Sequence, residues 1–111
     1  MNTPPTGRRV VVTGVGMITA LGHNACDNWT ELIQARSGIR RISLFDPSAY
    51  ESQVAGEVPD FDPAKNMDRK EARRADRVTQ FAFVAADEAL KQARYDPSDN
   101  GTNMAVIVGT A

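Results

Sequence analysis

The stretch Arg8 to Gly22, RRVVVTGVGMITALG, constrains the fold more than any other part of the chain. Three β-branched residues in a row, Val10-Val11-Val12, suit a pleated strand covered on both faces. Gly14 and Gly16 then let the chain turn sharply, or let another backbone come close. Met104-Ala105-Val106-Ile107-Val108, followed by Gly109-Thr110, repeats the theme. Two buried strands that each lead into a small-residue turn, with helical segments between them, predict an α/β class: a mixed sheet with helices packed on it.

Composition narrows the function classes. Hydrophobic residues at 41% and charged residues at 24% describe a soluble globular chain. A net charge of −1 argues against general nucleic-acid binding. No apolar run approaches the ~18 residues of a membrane span. Cys26 is the only cysteine, which excludes an intrachain disulfide and fits a reducing compartment. MNTPPTGRR lacks the apolar core of a signal peptide, so the expected location is cytoplasmic.

Residues 1 to 7, with Pro4, Pro5 and Gly7, read as a loose tail. A helix is expected after Asn24, the N-cap, with Trp29, Leu32 and Ile33 as its core face and Arg36 near its C-terminal end. Ser37-Gly38 should end it, with glycine as a left-handed cap. Ile39 to Tyr50 is irregular, and Val54 to Val58 alternates like a short strand. Asp68 is expected to cap a new helix. From Val78 to Ala93 the apolar face is broad, which predicts a helix packed closely in the interior: Val78, Phe81, Ala82, Ala85, Ala89 and Ala93 share it, and Phe83, Val84 and Leu90 widen it. Asp96-Pro97 forbids its continuation, and 98–103 reads as a polar turn into the last strand. The expected order is strand, helix, short strand, helix, strand. A chain ending just after a doubly covered strand reads as a truncated domain.

Candidate chemistry is sparse. Gly14-Val15-Gly16 resembles a dinucleotide fingerprint, but the third glycine and the later acidic residue are absent, so a structural turn is expected. Cys26, in the first turn of a helix beside Trp29, reads as a small buried apolar residue rather than a nucleophile. His23, the only histidine, belongs to no carboxylate–histidine–nucleophile set and reads as a loop residue. Metal-ligand spacing is absent.

The basic cluster says more. Between Asp68 and Arg77, five basic and three acidic residues give +2; against −1 for the whole chain, the remainder carries −3. Arg69, Arg73 and Arg77 recur at i+4, as do Lys70 and Arg74, which on one continuous helix lines the positive charge along one side. Two readings follow: a solvated face with internal ion pairs, or a docking patch for an acidic or phosphate-bearing partner.

Taken in order, RRVVVTGVGMITALG, the Trp29 helix, Ser37-Gly38-Ile39, FDPSAY, Ala55-Gly56, DRKEARRAD, the alanine-rich helix and VIVGTA resemble the start of a β-ketoacyl-acyl-carrier-protein synthase. The resemblance covers residues 8 to 111 and is strongest to the elongating type-II branch, synthase II. It implies a thiolase-like fold of two similar α/β halves, a homodimer, and condensation of an acyl thioester with malonyl-acyl-carrier protein with loss of CO2 in fatty acid elongation. In that family a cysteine takes the acyl chain, two histidines assist decarboxylation with a lysine behind them, and backbone N–H groups bind the thioester oxygen. No metal or organic cofactor is implied. Neither Cys26 nor His23 matches those positions, so the catalytic residues are expected beyond Ala111 and the segment alone is expected to be inactive. The resemblance also implies that Lys70, Arg73 and Arg74 receive the acyl-carrier protein and its phosphopantetheine arm. A non-catalytic chain-length factor or a polyketide-type ketosynthase is the alternative.

Overall fold

The structure, a computed structural model, describes residues 7–100 and 104–109. The expected tail apart from Gly7, the turn residues 101–103 and the closing Thr110-Ala111 lie outside the described residues. The elements run α1 (Ala25–Ile33), β1 (Ile39–Arg41), β2 (Val54–Gly56), a 3₁₀ turn (Pro63–Lys65), α2 (Arg69–Arg74), α3 (Arg77–Gln92) and α4 (Pro97–Asn100).

The expected caps at Asn24 and Asp68 are in place. The Asn24 side chain accepts from the Asp27 N–H at 2.8 Å and so satisfies a donor that helix geometry leaves unpaired. Asn28, the most buried polar residue of α1, ties the helix to the preceding turn. Its amide donates to the Gly22 carbonyl at 2.9 Å and to the Asn24 carbonyl at 2.8 Å, and its oxygen accepts from the Thr19 hydroxyl. Arg36 pairs with Glu31 at 3.6 Å near the end of this helix.

The α1 stop differs from expectation. The helix ends at Ile33, and the left-handed residue is Ala35 (φ 54°), not Gly38. Its N–H reaches the Leu32 carbonyl at 3.0 Å and the Arg36 N–H reaches Glu31 at 3.1 Å, which closes the last turn before Gly38 is met. Gly38 serves a close approach instead: a Cβ there would lie 2.8 Å from the Ala20 Cβ.

The sheet is a two-stranded antiparallel ribbon. Ile39 faces Gly56, Arg40 faces Ala55 and Arg41 faces Val54. The short strand expected after Val54 is therefore present, and its partner lies in a stretch that reads as irregular. Glu57 clips the open end: its carboxylate accepts from the Ser43 N–H at 3.0 Å, the Leu44 N–H at 3.1 Å and the Ser43 hydroxyl at 2.7 Å. The Ser43 hydroxyl bond is the main cause holding its carboxyl below the usual carboxylate range, with the two backbone N–H groups adding to it.

The two long strands are a correction. Residues 10–12 and 104–108 pair with no strand among the described residues, and Val10 and Ile107 are 94% and 95% exposed. A central strand needs a neighbour for its N–H and C=O groups and a layer on each face, and neither is supplied here. Trp29, Leu32 and Ile33 are likewise exposed rather than core, and so are Val78, Phe83 and Leu90 of the helix expected to pack in the interior. The polar turn expected from Ser98 is instead opened by α4.

What does pack is the segment 14–17 against α3. A Cβ on Gly14 would lie 2.0 Å from the Ala89 carbonyl oxygen, and one on Gly16 would lie 1.7 Å from that of Ala85. The Val15 N–H donates to Gln92 Oε1 at 2.6 Å and the Met17 N–H to Glu88 Oε2 at 2.9 Å. The other oxygen of Glu88 accepts the Ala25 N–H at 2.9 Å, so one carboxylate joins α3, the glycine segment and the start of α1. Phe61 meets Phe81 edge-on at 4.8 Å, and Val84 is buried at mid-helix.

Candidate functional site

The basic segment is not one helix. Asp68 caps α2 by accepting from the Lys70 N–H at 2.8 Å, and α2 then runs only six residues. At Ala75 the backbone turns extended (ψ 137°), and Asp76 caps α3 by accepting from the Thr79 N–H at 2.8 Å. An Asp just before the apolar run Val78 to Leu90 is the signal that marks this second start.

The break separates Arg77 from the rest. Its guanidinium lies over the Phe61 and Phe81 rings, 5.6 and 4.9 Å from their centroids, and donates to the Val58 carbonyl at 2.9 Å. The i+4 stripe expected to run from Arg69 through Arg73 to Arg77 thus loses its last member to a structural clamp. Lys70, Arg73 and Arg74 remain together: with Arg69 they line one shallow depression on α2, all four exposed. Ala72, on the opposite side, is 8% exposed and anchors the helix.

Ion pairing and the dipole of α2 describe the electrostatics of this cluster. Among the described residues the ion pairs are Arg36–Glu31 and Lys91–Asp87, and neither involves an α2 side chain. Like charges at i,i+4, as in Arg69–Arg73 and Lys70–Arg74, weaken a helix by tenths of a kcal/mol per pair. Arg69 and Lys70 stand at the end of the helix dipole that disfavours cations, and Arg73 and Arg74 at the end that favours them. The patch is therefore a positive surface with no ion pair among the described residues, rather than a face laced with internal pairs.

The other candidate residues have structural roles. A phosphate cradle needs free backbone N–H groups, but those of Val15 and Met17 are already taken by Gln92 and Glu88. His23 places Nε2 2.7 Å from the Pro59 carbonyl and its ring edge-on to Phe61 at 5.9 Å. Cys26, expected to be buried, is instead exposed in the first turn of α1. Among the described residues no helix is long and apolar enough to cross a membrane. Sequence reasoning missed Gln80 and Glu88: Glu88 lies at the edge of the expected apolar face, beside Phe81 and Val84, and Gln80 lies on the side of α3 opposite Val78, Ala82 and Ala89, so the periodicity marks neither.

Comparison with known proteins fits this geometry. The family described as beta-ketoacyl synthase, N-terminal domain, matches residues 7–111. Over 104 residues the chain is 41% identical to "3-oxoacyl-[acyl-carrier-protein] synthase 2" of Synechocystis sp., which covers 93% of this chain and 25% of that protein. Over 106 residues it is 45% identical to "Putative polyketide beta-ketoacyl synthase 1" of Streptomyces halstedii, covering 94% and 25%. A solved structure titled "The ishigamide ketosynthase/chain length factor" superposes with a TM-score of 0.74 at 35% identity, covering 83% of this chain and 23% of that one. Fold and likeness together define an α/β segment of the thiolase-like, ketosynthase class. The chain belongs to the beta-ketoacyl synthase family and corresponds to its N-terminal domain. It spans about a quarter of the length of the curated relatives named here.

Proposed function

We propose that this chain is part of a β-ketoacyl-acyl-carrier-protein synthase that condenses an acyl thioester with malonyl-acyl-carrier protein, releasing CO2, in fatty acid elongation. In this reading Lys70, Arg73 and Arg74 receive the acidic carrier protein, and the catalytic cysteine and histidines belong to the part of the protein outside residues 8–111. The working enzyme is a cytoplasmic homodimer. Support for the activity comes from the 41% identity to a synthase 2. The docking role rests on one observation: four exposed basic side chains gathered on a six-residue helix, none of them ion-paired among the described residues.

Arginine suits such a partner because its fork can bind two oxygens of a carboxylate or phosphate. Rim charges of this kind mostly steer association, and salt screens them over the ~8 Å Debye length of physiological solution. In a full-length synthase carrying this segment, Lys70→Glu with Arg74→Glu should raise KM for carrier-bound substrate. Turnover of a small thioester without the carrier should stay nearly unchanged, and the KM difference should shrink at high salt. Equal loss on both substrates would make the patch structural; loss on neither would leave it a solvated face.

The similarity to a ketosynthase/chain length factor structure favours a second reading, in which the protein pairs with a catalytic partner and does not itself condense. Thioester formation on the full-length protein alone separates the two.

A further inference from the structure

We infer that Gln80 is the positioning residue of the docking surface: it holds α2 in the orientation that presents Lys70, Arg73 and Arg74. This deepens the carrier-docking reading above and rests on it. The Gln80 amide nitrogen donates to the Ala72 carbonyl at 2.8 Å and to the Ala75 carbonyl at 3.1 Å. Its two hydrogens therefore serve two acceptors across the break between α2 and α3.

The need for such a tie follows from the length of α2. Isolated helices shorter than about 12–15 residues are marginal in water, and α2 has six. Its like-charged pairs weaken it further. Its last carbonyls lack partners inside the helix. The Ala75 N–H takes that of Glu71 at 2.9 Å, and Gln80 takes those of Ala72 and Ala75. Gln80 itself stands in the first turns of α3, where its N–H is fixed on the Asp76 carbonyl at 3.0 Å and its side chain is half-buried. The sixteen-residue α3 is the rigid body, and Gln80 transfers its orientation to α2. The residue is neutral and sits behind the patch, so it acts on the carrier through the basic side chains and not by contact.

The test uses Gln80→Met, which keeps length and charge and removes both donors, in a full-length synthase carrying this segment. Gln80→Glu, which sets one carboxylate oxygen against both carbonyls, is the second variant. KM for carrier-bound substrate should rise roughly three- to tenfold, the scale of one or two net hydrogen bonds, with turnover of the small thioester unchanged. Hydrogen exchange at the α2 amides should quicken while that of mid-α3 does not. If both variants lose small-thioester turnover as well, Gln80 only holds the fold and the inference is wrong. If α2 exchange quickens but the carrier KM stays put, docking does not depend on the orientation and the inference is equally wrong. The Lys70→Glu, Arg74→Glu protein measured in parallel keeps the two ideas apart. A raised KM there with none for Gln80→Met defeats the Gln80 role alone, whereas no change in the charge-reversed protein defeats the docking reading.

Discussion

Gly14 and Gly16 show how much a missing side chain can decide. None of the described glycines has a positive φ, so these two are not there for a left-handed turn. They are there because the backbone of α3 occupies the space a Cβ would fill, and the alanines facing them, Ala85 and Ala89, are small for the same reason. At Gly16 the obstructing atoms belong to the Ala85 backbone, which cannot rotate away as a side chain could. Gly16→Ala should therefore destabilise the folded protein by about 2–3 kcal/mol, the upper part of the overpacking range. Gly56→Ala is the control, because its nearest neighbours would be ordinary contacts at 3.5 Å. Chemical denaturation of the full-length protein reads both. An unchanged midpoint for Gly16→Ala would mean that the segment does not pack on α3 as described.

Each of the three main helices opens on a capping side chain, Asn24, Asp68 or Asp76, and those caps set where the elements begin. The Asp76 cap matters most to the site because it separates Arg77 from α2. Its carboxyl is held below the usual carboxylate range by hydrogen bonds from the Thr79 side chain and backbone N–H. A carboxyl with a folded pKa below its unfolded one stabilises the fold above the unfolded value, and that contribution goes as pH falls through the folded one. The start of α3 should thus loosen as pH drops below about 4. Asp76→Asn, which keeps the acceptor and removes the titration, should flatten that part of the pH–stability profile. Hydrogen exchange at Thr79 and Gln80 checks it: an equally steep acid response in Asp76→Asn would assign the loosening to other carboxylates.

At the scale of the molecule, the described residues form packed contacts without a closed core. Ala72 and Val84 are the buried apolar residues, while Val10, Val12, Val106 and Ile107 stand in the open. The radius of gyration is 18.4 Å, against about 13 Å for a compact domain of this length. A 111-residue chain that leaves extended β-branched segments unpaired should self-associate and take up an apolar dye such as ANS. Sedimentation of the isolated chain as a single small species with no dye uptake would contradict this.

The division between sequence and tertiary structure follows from the range of the forces involved. Local chemistry alone determined the caps at Asn24 and Asp68, the long apolar helix of Val78 to Ala93, the short strand after Val54 and the basic character of residues 69–74, because each depends on neighbours a few positions away. The order of its segments was enough to mark the family. Tertiary structure decided what depends on distant partners. Glu88 bridges 71 residues to Met17 and 63 to Ala25, and β1 exists only because β2 lies beside it. By spacing Arg77 belongs with the patch; in the fold it lies over the Phe61 and Phe81 rings instead. The β-branched runs at 10–12 and 106–108 carry strand propensity, but a strand is a relation between segments, and propensity without a hydrogen-bonding neighbour leaves only an extended chain.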